Sequence, residues 1–63
     1  MCRADAYLLR GGQEELLLED VAVVRIERGQ VILEDLLGEE RRVNARVKEL
    51  NLNTQRILFE VAD

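Results

Sequence analysis

"VAVVRIERGQVILED", residues 21–35, has the pattern of a β-hairpin. Two β-branched runs flank Arg28–Gly29, a pair suited to a tight turn. Short apolar runs bounded by turn residues read as strands more readily than as helices. Alternation along Val21 to Glu27 sets Ala22, Val24 and Ile26 on one face and Val21, Val23 and Arg25 on the other. Val31 to Leu36 follows as the partner strand, and Gly38 ends it.

The same logic extends outward in both directions. Ala4, Ala6 and Leu8 alternate with Arg3, Asp5 and Tyr7, after which Gly11–Gly12 supplies the positive φ of a hairpin turn. Glu14 to Leu18 returns alongside this first strand. The segment Glu40 to Leu50 fits either period, since Val43, Val47 and Leu50 stand at helical spacing while Val43, Ala45 and Val47 alternate. Gly38–Glu39 offers only a weak helix cap, so a strand is expected there. A turn through Asn51–Leu52–Asn53 leads to a last strand carrying Ile57, Phe59 and Val61. Six short strands in one domain over residues 1–63 predict an all-β fold, a small antiparallel barrel or meander. A weak repeat, Leu18-Glu19-Asp20-Val21 against Leu33-Glu34-Asp35-Leu36, has the spacing of one hairpin and reads as two similar strand–turn units.

A chain of 63 residues buries little core. One cysteine excludes an intramolecular disulfide, and the absence of histidine excludes the usual structural zinc site. The remaining support is a second copy. Leu16-Leu17-Leu18 cannot all face one core, and Leu36–Leu37 and Val23–Val24 add further apolar surface, so a homodimer is expected.

Composition narrows the function. The chain contains no Ser, His, Trp or Pro, which removes Ser/His and Cys/His nucleophilic machinery. Its adjacent carboxylates, such as Glu14–Glu15 and Glu39–Glu40, point to opposite faces of a strand and make no acid/base dyad. A non-enzymatic protein is expected. The net charge of −4 disfavours binding through nucleic-acid phosphates, although Arg41, Arg42, Arg46 and Lys48 form a local basic run. No apolar run approaches the roughly 20 residues of a membrane span, and the start lacks the apolar stretch of a signal peptide. A cytosolic protein with a reduced Cys2 is the expectation.

Cys2 is either an incidental small residue near a terminus or a ligand. The second reading has a definite chemistry. With Met1 removed, the α-amine and thiolate of Cys2 close a five-membered chelate ring. With Met1 retained, its amine, the Cys2 amide nitrogen and the thiolate close two fused rings. Nitrogen and thiolate donors in a plane suit Ni(II) or Cu(II) rather than tetrahedral Zn(II). A two-fold axis between two N-termini would complete the plane with a second Cys2.

The start Met1-Cys2-x-Ala4, the length, Glu19-Asp20-Val21 leading into a β-branched strand, and Glu39–Glu40 before a strand ending near Leu50 resemble the CooT family over the whole chain. The resemblance implies a small SH3-like β-barrel, a cytoplasmic homodimer, and Ni(II) bound through the residue at Cys2. It also implies a metallochaperone-like role toward nickel-containing carbon monoxide dehydrogenase or its accessory proteins. The alternative is an RNA- or protein-interaction module without metal, contacting its partner through Arg41, Arg42, Arg46 and Lys48. With only Tyr7 and Phe59 as aromatics, the sequence offers few platforms for stacking bases.

Overall fold

The computed structural model describes residues 3–61. Six strands follow in chain order: β1 Ala4–Arg10, β2 Gln13–Glu27, β3 Gln30–Asp35, β4 Glu40–Val43, β5 Ala45–Asn51 and β6 Arg56–Val61. They form one sheet in the order β4-β3-β2-β1-β6-β5. The all-β expectation holds, and both hairpin turns fall where the glycines place them. Gly11 and Gly12 (φ 58° and 82°) join Arg10 to its partner Gln13, and Arg28 and Gly29 (φ 51° and 77°) join Glu27 to Gln30. Positive φ at both central residues matches the right-handed twist of the flanking strands.

The total of six strands is reached by a different partition. Glu14–Leu18 and Val21–Glu27, expected as two strands, belong to one fifteen-residue strand, β2. The ladder bridges the junction with bulges: Ala6 pairs Leu18 and Ala4 pairs Val21, so β2 spends an extra residue there, and Asp20 takes φ 54°. Conversely, Glu40–Leu50 is not one strand. It breaks at Asn44, whose Oδ1 accepts a hydrogen bond from Gln30 Nε2 at 3.0 Å, and the chain passes from the edge beside β3 to the edge beside β6.

That break also revises the expected barrel. Among the described residues no ladder joins β4 to β5, so the sheet is not closed by hydrogen bonds. Its two edges are instead consecutive in the chain, linked by Asn44. Nor is the sheet wholly antiparallel, since β1 and β6 pair in parallel from Asp5↔Arg56 to Leu9↔Glu60. A parallel pair needs a long crossover, and here β2 to β5 supply it.

The curled sheet encloses one core of Ala6, Leu8, Leu17, Val21, Val31, Leu33, Ala45, Ile57 and Phe59. Phe59 is fully buried and pairs with Leu8 on one side and Val47 on the other. Ile32 is also buried, at 1% exposure, but outside this cluster. Its cross-strand neighbours are Arg25 and Arg42, whose aliphatic stems flank it while their guanidinium groups reach Glu34 and Glu40.

The expected apolar surplus is visible at the surface. Of the three leucines, Leu17 is buried and Leu16 exposed. Val24 and Ile26 share the inner face with their partners Leu33 and Val31, yet Ile26 is 63% exposed while Val31 is buried, because the β1 ladder ends at Val21 and leaves this half of β2 with β3 as its only ladder partner among the described residues. No helix of the described residues is long and apolar enough to cross a membrane.

Candidate functional site

Cys2, the candidate ligand, lies outside the described residues. The strand end that leads to it is well anchored. Ala4 packs against the core and pairs with Val21, which in turn pairs with Asp35. Asp5 is tied on both flanks: its backbone N–H donates to the Gln55 carbonyl at 3.0 Å, and its Oδ1 accepts from the Asp20 N–H at 3.2 Å. The β1 end is therefore fixed between β2 and β6. Among the described residues, no group of three or more metal-ligating side chains stands together.

The basic run is dispersed by the strand break. Arg41 and Arg42 are neighbours on β4 and face opposite sides of the sheet, while Arg46 and Lys48 ride on β5 at the other edge. Arg42 Nε lies 3.8 Å from Glu40, and Arg46 Nε lies 3.1 Å from Glu60. These carboxylates engage two of the four cations, while Arg41 and Lys48, at opposite edges, pair with none among the described residues.

Neither aromatic is a free platform. Phe59 is in the core, and Tyr7 lies beneath Arg56, whose guanidinium carbon is 4.2 Å from the ring centroid. Arg56 is held in turn by an ion pair with Glu14. The hydrogen bond that Arg56 donates to Glu14 raises the Arg56 pKa above its ordinary value, partial desolvation opposes the rise, and Coulombic attraction to Glu14 adds to it. This exposed clamp connects β1, β2 and β6 across their outer face.

A shallow cleft of about 280 Å³ opens near the start of β1, lined by Leu18, Glu19, Asp20, Asp35, Leu36 and Leu37. Asp35 organises its rim. Its Oδ1 accepts from the Leu37 and Glu39 amides at 2.9 and 2.8 Å, its N–H donates to the Glu39 carbonyl at 2.9 Å, and its carbonyl accepts from the Gly38 N–H at 3.1 Å. Sequence reasoning gave Asp20 and Asp35 no part in any site. The signal was the Leu-Glu-Asp repeat, which the hairpin brings into one place.

Comparison with known proteins agrees with this architecture. The family model described as CO dehydrogenase accessory protein CooT matches residues 1–60. A crystal structure of a protein assigned as CooT from Carboxydothermus hydrogenoformans superposes with a TM-score of 0.90 at 35% identity, covering 98% of this chain and 100% of the other. An uncharacterized protein of Methanocaldococcus jannaschii is 32% identical over 60 residues, spanning 95% of this chain and 98% of its own length.

Proposed function

The chain belongs to the CooT family of CO dehydrogenase accessory proteins, and from that premise we propose that it is a nickel-binding carrier, a cytoplasmic homodimer that takes Ni(II) on Cys2 and passes it toward carbon monoxide dehydrogenase. The observation that carries this reading is the span of the family match, which begins at residue 1 and so includes the Met1-Cys2 start. The name of the family is that of an accessory protein rather than a catalyst, in keeping with a chain that has no serine or histidine.

Three structural features support the proposal. The start of β1 is tied to β2 and β6 through Asp5, giving the N-terminal ligand a firm base. The described body holds no cluster of metal-ligating side chains to compete with it. Exposed apolar residues on the inner face, Val24 and Ile26 on β2 and Val47 and Leu50 on β5, are surface that a second copy could cover, continuing the small core across a dimer interface like that of an SH3-like barrel pair.

Nickel as cargo asks for a labile site. Thiol and α-amine must lose protons to bind, so affinity falls as pH drops. Calorimetric titration of Ni(II) into protein with its native start, beside Cys2→Ser, tests the assignment. Binding by the parent and its loss in Cys2→Ser are expected; equal binding by both would remove the proposal. The RNA-binding alternative is disfavoured because Arg42 and Arg46 are paired and Tyr7 is covered.

A further inference from the structure

The cleft beside the start of β1 joins two features that nickel carriage does not use. The first is a pair of displayed leucines. Leu36 is 55% and Leu37 90% exposed, on a turn that Asp35 closes with hydrogen bonds to the Leu37 and Glu39 amides and that Gly38 completes at φ 89°. A leucine held in water on a rigid turn can bind without first being ordered, which removes one of the main costs of association. Leu18, packed against the core, forms the apolar floor behind them.

The second feature is the charge around those leucines. Glu19, Asp20 and Asp35 line the cleft, and Glu39 follows on the same turn. Among the described residues, none of these four carboxylates pairs with a cation; Glu14, Glu15, Glu34, Glu40 and Glu60 do, and Asp5, Glu27 and Glu49 are the other carboxylates that do not. The bulge at Asp20, with its left-handed backbone secured by Asp5 Oδ1, projects Glu19 and Asp20 beside the Asp35 turn. Leu52 gives the internal contrast. It is 77% exposed on a turn capped in the same way by Asn51 Oδ1, but its neighbours Asn51, Asn53 and Thr54 carry no charge.

We propose that this cleft is a docking surface for a short basic segment of another protein. One apolar side chain of that segment seats between Leu18, Leu36 and Leu37, and its lysines or arginines face Glu19, Asp20, Asp35 and Glu39. Charge complementarity selects this occupant over a second copy of the chain. Five of the nine cations, Arg10, Arg25, Arg42, Arg46 and Arg56, are already engaged by carboxylates of their own subunit, and a second copy carries the same net charge of −4 as the first. The β1 strand starts beside the cleft, so a docked partner is close to the N-terminal end of the fold.

The test uses metal-free protein, so its result is independent of nickel binding. A fluorescent peptide of alternating lysine and leucine is titrated into the parent, Leu37→Asn and Leu52→Asn, with an alternating glutamate and leucine peptide as control. Amide chemical shifts map the contact. The expected result is binding of the lysine peptide with shifts over Leu18–Asp20 and Asp35–Glu39, about tenfold weaker in Leu37→Asn, unchanged in Leu52→Asn, and weakened by salt. Shifts elsewhere, equal binding of the glutamate peptide, or equal loss in both variants would overturn the proposal. So would a Leu37→Asn variant whose sedimentation shows lost self-association while its peptide affinity is intact, since the cleft would then be a contact between copies.

Discussion

The Asp20 amide donates to Asp5 Oδ1 across 3.2 Å while Asp20 itself stands at φ 54°. One side chain on β1 thus stabilises the left-handed residue that lets β2 gain a register position. Removing the acceptor in Asp5→Ala should cost about 1 kcal/mol in urea unfolding. Asp20→Gly accepts the same backbone without a Cβ and should lie within about 0.5 kcal/mol of the parent. A larger loss in Asp20→Gly than in Asp5→Ala would mean that the Asp20 side chain, and not the bulge, is what matters.

Phe59 has no exposed surface and stands between its ladder partners, buried Leu8 on β1 and Val47 on β5. Truncation of a buried phenylalanine to alanine costs roughly 3–5 kcal/mol, comparable to the whole stability that a core of this size supplies. Phe59→Ala should therefore be unfolded at room temperature by circular dichroism. Phe59→Leu should fold with a lowered midpoint.

The Asp35 turn offers a sharper chemical test, because two amides share one carboxylate oxygen. Asp35→Ala removes that acceptor and should destabilise by about 1 kcal/mol. Asp35→Asn keeps an Oδ1 acceptor and should recover most of the loss. Hydrogen exchange at Leu37 and Glu39 reads the same contacts directly, with faster exchange expected in Asp35→Ala and near-parental exchange in Asp35→Asn.

Arg56 is a cation whose folded pKa is raised, chiefly by its hydrogen bond to Glu14. Such a group contributes stability that is complete below its unfolded pKa and is lost only as pH rises through the higher folded value. That window lies in strongly alkaline solution. The difference in urea midpoint between the parent and Arg56→Gln should therefore stay constant from neutral pH to about pH 10. It should be small and shrink with added salt, as expected of an exposed ion pair.

Much of the strand pattern was legible because alternation and glycine turns are local. Arg28–Gly29 and Gly11–Gly12 each needed only two adjacent residues to be read as hairpins. The bulge at Asp20 and the break at Asn44 were not legible. Each is set by a partner far along the chain, Asp5 for the first and Gln30 for the second. The same two sites decided the errors in strand partition and in closure. The parallel pairing of β1 with β6 was hidden for a similar reason, since a neighbour some fifty residues away leaves no periodicity behind. For the site, Cys2 could be picked out by elimination, while the Asp20–Asp35 cleft emerged only when the hairpin brought the two Leu-Glu-Asp segments together.

Nickel held on Cys2 of a dimer is the proposed working state of the protein. Its most direct test is the intact mass of the protein with its native start, taken with and without Ni(II) under conditions that preserve assembly, beside Cys2→Ser. A dimer that gains nickel mass with loss of protons in the parent, and no nickel-bearing species in Cys2→Ser, is the predicted result. A parent that takes up no nickel, or a Cys2→Ser variant that retains it equally, would contradict the claim.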